Sequence, residues 1–291
     1  MIPGAFEYFA PSTLEEATTL LERRGPEAKV LSGGQSLIPM MKLRLATPPY
    51  IIDINRIPGL DYIREADGFL RIGGLTREAA LEESELIRTR YPIILDTTVV
   101  IADPIVRNMS TVGGNLAHGD AANDHPATML ALGAEVATTG PGGERIIPLV
   151  EFFQGPLTTA LRYDEILTEA RIPTPPPSSG GAYLKMERKV GDFATAGVAV
   201  FVVLRDGVCE RAGVGLTNVG PTPIKATSAE AFLEGKRLDE ETVRQAAQLA
   251  AQESQPAADL RGSEEYKRDL VRVLTIRAIH RAVERAGEGL S

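Results

Sequence analysis

The chain is poor in the residues that build metal and redox centres. Its 291 residues include one cysteine, Cys209, three histidines and no tryptophan. A single thiol rules out a disulfide framework within the chain. An iron–sulfur cluster normally takes four thiolates, so the chain cannot hold one alone. The lone cysteine and scattered histidines form no zinc constellation either. No apolar run reaches the roughly 18–20 residues that a spanning helix needs, so no transmembrane segment is expected. The opening MIPGAFEYFAPSTLEEA lacks the basic and apolar regions of a secretory signal, and a cytoplasmic protein is expected. A basic domain is also missing. The formal net charge is −8, so nucleic acid is not an expected partner.

What remains is an ordinary globular composition, 43% hydrophobic and 24% charged, in a chain long enough for two domains. Two stretches stand out. Residues 101–126, IADPIVRNMSTVGGNLAHGDAANDHP, are short of large apolar side chains after Met109 and hold His118, His125, Asp120 and Asp124. At their centre, Thr111-Val112-Gly113-Gly114-Asn115 places two adjacent glycines beside a side-chain amide. Glycine removes Cβ and frees φ, so N–H groups can turn toward an anion. About 80 residues earlier, Lys29-Val30-Leu31-Ser32-Gly33-Gly34-Gln35-Ser36 reads as a short strand entering a similar turn. One Gly-Gly turn is usually only a turn. Two of them, each flanked by Ser/Thr and Asn/Gln, suit a diphosphate held from two sides. Neither is a P-loop, because Gln35 and Asn115 stand where Lys would follow the last glycine, and neither is GxGxxG.

The motifs VLSGGQSLIPMMKLRL (30–45) and STVGGN (110–115), with DIN after the first and HP after the second, carry a resemblance that covers nearly the whole chain. They are similar to the FAD-binding medium subunit of the molybdenum hydroxylase family, the group of carbon monoxide dehydrogenase, xanthine dehydrogenase and the N-heterocycle hydroxylases. RKVGDFATAGVAV (188–200) fits as well. The first motif reads SGGQS where usual members read AGGHS or AGGTD. The resemblance implies an α+β fold: a two-subdomain FAD-binding domain of the vanillyl-alcohol-oxidase/PCMH type, then a C-terminal domain with a small antiparallel sheet and helices. The expected divisions are 1–55, 56–175 and 182–288.

The resemblance also implies a site. FAD would be held by Lys29, Val30, Leu31, Ser32, Gly33, Gly34, Gln35 and Ser36, and by Ser110, Thr111, Val112, Gly113, Gly114 and Asn115. Asp124 occupies the position of the family's ribose-contacting acid; an N-cap of the following helix is the other reading. Phe193 would lie near the isoalloxazine ring, or simply pack. Lys185 and Ile166 correspond to further contacts, Ile166 through its backbone. Catalytic side chains and metal ligands are not expected here. The implied partners are a molybdopterin-containing large subunit, a [2Fe–2S] small subunit and an external electron acceptor (quinone, NAD or oxygen). Two rival functions stay open: a self-sufficient flavin oxidase of the same superfamily, and an interaction protein that has lost FAD.

In chain order, Ser12 and Thr13 before Glu15 and Glu16 predict a capped helix stopped at Gly25-Pro26. Strands are expected at 28–31, 50–54, 69–74, 135–138, 145–148 and 165–172. The turn at Gly73-Gly74 is given no phosphate role. A short helical or irregular piece is expected at 37–45, with Lys42 and Arg44 solvated. Helices are expected at about 77–90 and 92–102, the second ended by Asp103-Pro104, and at 127–132. Residues 173–181, PTPPPSSGG, read as the linker between domains. Beyond it, strands at 182–188, 196–204 and 208–217 precede helices at 228–234, 240–252 and 263–285. The last helix is read with Tyr266, Leu270, Val273 and Leu274 inward. Its basic residues Lys267, Arg268, Arg272, Arg277 and Arg281 form either a solvated face or a docking face.

Overall fold

A computed structural model describes residues 2–287. Three units follow one another, each built on its own sheet. The first comprises β1 (Glu7–Phe9), α1 (Leu14–Arg24), β2 (Ala28–Leu31), α2 (Leu37–Lys42) and β3 (Tyr50–Asp53). Its strands form a parallel sheet in the order β1-β3-β2. Thr13 caps α1 by accepting from the Glu16 N–H, and Glu16 reaches back to the Ser12 N–H at 2.9 Å, the reciprocal bonding anticipated from the sequence. Ala17 and Leu21 of α1 are buried with Ile52 and Ile54.

The second unit is an antiparallel sheet in the order β4-β5-β10-β6-β7. Its elements are β4 (Ile63–Ala66), β5 (Phe69–Gly73), α3 (Glu78–Glu83), α4 (Glu85–Arg90), α5 (Pro92–Thr98), α6 (Pro104–Arg107), α7 (Val112–His118), α8 (His125–Ala131), β6 (Glu135–Gly140), β7 (Gly143–Pro148), α9 (Leu149–Phe152), the small pair β8 (Phe153–Gly155) and β9 (Thr158–Thr159), and β10 (Ile166–Pro173). Two expectations need correction. The helix expected at 77–90 breaks at Ser84, which ends α3 and caps α4 by accepting from the Ile87 N–H. The helix at 92–102 stops at Thr98, and Asp103, expected as a terminator, starts α6 by capping the Val106 N–H. Pro104 at N1 costs nothing there, since that N–H has no helical acceptor.

The third unit comprises β11 (Ser179–Glu187), β12 (Ala194–Arg205), β13 (Val208–Thr217), β14 (Ile224–Lys225), α10 (Thr227–Leu233), α11 (Glu240–Glu253) and α12 (Glu264–Arg285), with its strands in that order in one antiparallel sheet. β12 is buried on both faces. Ala199, Phe201 and Val203 join the core of the second unit, while Val198, Val200, Val202 and Leu204 meet the C-terminal helices. This is the period of two applied to a strand covered on both sides. The linker is shorter than the sequence suggested. Gly180 and Gly181 belong to β11, and a Cβ on Gly180 would overlap the Ala282 carbonyl of α12. Tyr266 is also corrected: it is half exposed, and Lys267 is buried instead, with its Nζ donating to the Ala257 carbonyl at 2.8 Å and pairing with Asp259. No helix among the described residues is long and apolar enough to cross a membrane.

α8 is buried along its whole length and lies directly on β13. Cβ atoms at Gly213 and Gly215 would overlap the carbonyls of Ala131 and Ala127. Gly215→Val is therefore expected to destabilise the protein by about 2–4 kcal/mol, an overpacking cost at the high end because backbone must move. A thermal midpoint within a degree or so of wild type would show that this contact relaxes freely.

Candidate functional site

The two glycine stretches meet. The Ser32 and Thr111 hydroxyls lie 3.0 Å apart although 79 residues separate them in the chain. A Cβ on Gly33 would overlap the Met109 carbonyl, and one on Gly114 would come within 2.8 Å of both the Ser32 and Thr111 hydroxyl oxygens. Here glycine serves close approach. Only Gly34 of these four has positive φ, at 72°. The expectation of a second glycine turn is therefore corrected. Gly113 and Gly114 form the first turn of α7, whose N-cap Thr111 accepts from the Gly114 N–H.

The donors on the two sides differ. In the first stretch, none of the N–H groups of residues 33–36 has an acceptor among the described residues. In the second, the Gly113 N–H donates to the Gly74 carbonyl at 3.1 Å, so that donor is already used. The Asn115 Oδ1 is buried and has no partner among the described residues. The cleft thus offers free backbone donors from one side, two hydroxyls at the seam and one orphan acceptor from the other. That donor set fits an anionic diphosphate carrying hydroxyl-bearing groups at its ends. Lys29, Val30 and Leu31 lie in β2 and lead into the cleft; Ser110 and Val112 flank Thr111 on the other side.

The remaining expected residues fall into separate places. Asp124 and Lys185 form a buried pair at 2.9 Å, and the Tyr183 hydroxyl donates to the other Asp124 oxygen at 2.6 Å. Burial raises the Asp124 pKa, with the Lys185 charge and the Tyr183 hydrogen bond acting the other way. Asp124 sits at the N-cap of α8, yet its side chain makes no capping bond. Lys185 also donates to the Val100 carbonyl at 2.9 Å. The loop before Phe193 comes to the same segment, since a Cβ on Gly191 would overlap the Ala102 carbonyl. Phe193 is half exposed, so its ring is free to cover a planar ligand. Ile166 is buried in the first core with Leu21 and Leu60 and offers only backbone groups to a ligand.

Four residues central to this architecture were not legible as such. Asn55 was read as the last residue of the DIN motif and the end of a subdomain, and Arg77 only as helix entry. Glu78 was read only as helix entry beside Arg77, and Tyr183 only as part of a strand. Glu78 and His125 are both fully buried, and the His125 Nε2 lies 2.6 Å from Glu78 Oε2. His118, by contrast, is only 4.0 Å from Asp120 near the surface. Burial disfavours charge on His125, but the charge and hydrogen bond of Glu78, with the charge of Asp124, raise its pKa overall.

Comparisons with known proteins bear on the same regions. A family model described as "FAD binding domain in molybdopterin dehydrogenase" matches residues 4–175, and one described as "CO dehydrogenase flavoprotein C-terminal domain" matches residues 181–282. The chain is 44% identical to the carbon monoxide dehydrogenase medium chain of Afipia carboxidovorans, covering 98% of this chain and 99% of that one. It is 37% identical to the 6-hydroxypseudooxynicotine dehydrogenase complex subunit alpha of Paenarthrobacter nicotinovorans, over 98% and 97% of the two chains. Among solved structures, a carbon monoxide dehydrogenase chain from Hydrogenophaga pseudoflava superposes with a TM-score of 0.96 at 44% identity, covering 98% and 99%.

The buried His125–Glu78 pair predicts a pH signature. The folded pKa of His125 lies above its unfolded value of about 6.5, so the pair's stabilisation is complete below that value and is lost as pH rises through the folded one. His125→Gln should lower the thermal midpoint most below about pH 6.5 and progressively less as the pH rises above it. Midpoint curves for the two proteins that stay parallel across this range would contradict the assignment.

Proposed function

The chain belongs to the FAD-binding medium subunits of the molybdenum hydroxylase family, an oxidoreductase group of the carbon monoxide dehydrogenase and xanthine dehydrogenase type, and from that footing we propose how it works. FAD is its cofactor. Our reading is that the chain receives electrons from a [2Fe–2S] small subunit and hands them to an external acceptor, while a molybdopterin-containing large subunit carries out the substrate chemistry. The observation that carries the cofactor half of this reading is the meeting of residues 32–36 with residues 109–115 across a 3.0 Å hydroxyl contact. The single cysteine supports the division of labour, because the clusters must then lie in another chain.

FAD accepts single electrons and releases them in pairs, which suits a place between one-electron clusters and a two-electron acceptor. The protein's share is binding, orientation and exclusion of water. The free N–H groups of residues 33–36, with the Ser32, Ser36 and Thr111 hydroxyls, would hold the diphosphate, each charge-assisted bond contributing on the order of 1.5–3 kcal/mol. Asn115 Oδ1 would accept from a ligand hydroxyl or amide. The Asp124–Lys185 pair, which ties the second unit to the third, would bring polar groups to the cofactor, and Phe193 would cover the flavin ring. Docking of partners is supported near Phe193. Val190 and Leu260, 94% and 96% exposed, sit on two loops tied by the 2.9 Å Arg261–Asp192 bridge. Side chains so apolar and so exposed favour a protein surface over water.

Gly114→Val is expected to abolish FAD binding while far-UV circular dichroism stays near wild type. Its branched side chain would fill the seam between Ser32 and Thr111. Full flavin occupancy in that variant would remove the diphosphate from this cleft. The subunit assignment is tested by co-expressing the chain with candidate large and small subunits, followed by size-exclusion chromatography and assay of each fraction. The chain should co-elute with both and oxidise no aldehyde, purine, N-heterocycle or CO by itself. Direct reduction of the FAD-loaded lone chain by such a substrate would favour a self-sufficient oxidase instead.

A further inference from the structure

A polar chain also joins the two walls of the cleft. On one wall, the Asn55 amide donates to the Ser32 carbonyl at 2.8 Å. Asn55 is held there by Asp53, which accepts from both its side-chain and backbone nitrogens and, on its other oxygen, from the Tyr8 hydroxyl at 2.6 Å. On the other wall, one guanidinium nitrogen of Arg77 donates to the Met109 carbonyl. Its second terminal nitrogen donates to Asn55 Oδ1 at 2.6 Å. Arg77 thus spans both walls through one planar fork. Its neighbourhood is bound to the second wall by backbone as well. Arg77 makes an isolated antiparallel bridge with Thr111, the Glu78 N–H donates to the Ser110 carbonyl, and the Val112 N–H donates to the Thr76 carbonyl.

The Met109 carbonyl is the group that a Gly33 Cβ would overlap. So the oxygen Arg77 grips lies where the two walls touch. Ungripped, a carbonyl oxygen there would present negative charge beside an anion site. Gripped, its lone pairs are engaged by a cation, and its peptide is fixed in the orientation that leaves residues 33–36 clear. Asn55 does the same for the Ser32 carbonyl. A lysine could supply charge at this position, but not two directed bonds at the fixed angle of the fork.

We propose that Arg77, acting through Asn55 and the Met109 carbonyl, is the positioning residue that sets the separation of the two glycine-bearing walls for the flavin's diphosphate. This rests on the reading of the cleft as the FAD site. Arg77 need not touch the cofactor: it holds two backbone segments that do. Preorganisation of this kind shows as ligand affinity, because without it the cost of ordering the two walls falls on the binding step.

The test is titration of the full-length chain, prepared flavin-free, with FAD, for wild type, Arg77→Ala, Arg77→Lys, Asn55→Ala and the double alanine variant. The thermal midpoint of each flavin-free protein is measured alongside. Arg77→Ala should weaken FAD binding by about 10- to 150-fold, the loss of a hydrogen bond to a charged group, with the flavin-free midpoint close to wild type. Arg77→Lys should recover at most part of the affinity. The double variant should bind no more weakly than the worse single variant, because the two residues act as one brace. Wild-type affinity in Arg77→Ala or full recovery in Arg77→Lys overturns the brace, as does additive loss in the double variant. A loss of affinity matched by an equally large fall in the flavin-free midpoint also overturns it, since Arg77 would then serve only the fold. Failure of the wild-type chain itself to bind FAD would overturn the reading of the cleft and the brace with it.

Discussion

Backbone laid directly on backbone is the constraint from which the architecture of this protein follows. Gly33 lies on the Met109–Ser110 peptide, Gly113 on Gly74, Gly74 on the Leu167 carbonyl, and Gly73 on the Leu60 carbonyl. A Cβ at any of these positions would overlap main-chain atoms, which cannot rotate away as a side chain can. The contacts run from β2 through the start of α7 to β5 and β10, so the two FAD-domain sheets are brought into register by atoms common to every residue. The Gly73-Gly74 turn, given no phosphate role from sequence, proves to be the buttress on which Gly113 stands.

The third unit is joined to the second by the same device and by charge. Gly213 and Gly215 let α8 settle on β13, while within the third unit Gly180 lets α12 settle on β11. Between them, the Asp124 carboxylate at the head of α8 receives the Tyr183 hydroxyl and the Lys185 ammonium of β11. A buried ion pair of this sort is weak evidence of stability, since desolvation offsets much of the attraction. Its value is geometric. It fixes the orientation of β11 against the loop that follows α7, and with it the approach of the Phe193 loop to residues 100–102.

What could be read in advance was local. Apolar periodicity located most strands and helices to within a few residues. The glycine pairs marked both walls of the cleft, and the motifs around them were enough to imply the family. The misreadings were also local in origin. Asp103-Pro104 looks the same at the end of one helix as at the start of the next. Ser84 breaks a helix whose periodicity runs straight through it. Gly180-Gly181 resembles a linker end when the helix residue lying on it, Ala282, is 102 residues further along the chain. Tyr266 and Lys267 exchanged places because an aliphatic stem can be buried when its ammonium finds a carbonyl and a carboxylate, as Lys267 does with Ala257 and Asp259.

The sequence by itself determined which segments could come close to an anion and which could not. That property belongs to residue type: glycine lacks Cβ, Ser and Thr carry donors, and one cysteine cannot ligate a cluster. Only the tertiary structure decided which glycine rests on which peptide, that the Gly113 N–H is spent on Gly74, that Asp124 faces Lys185, and that Arg77 spans both walls. Asp124 and Lys185 are 61 residues apart in the chain, and Ser32 and Thr111 are 79 apart. At such separations local pattern carries no information about partner choice, which is set by how the three sheets pack together.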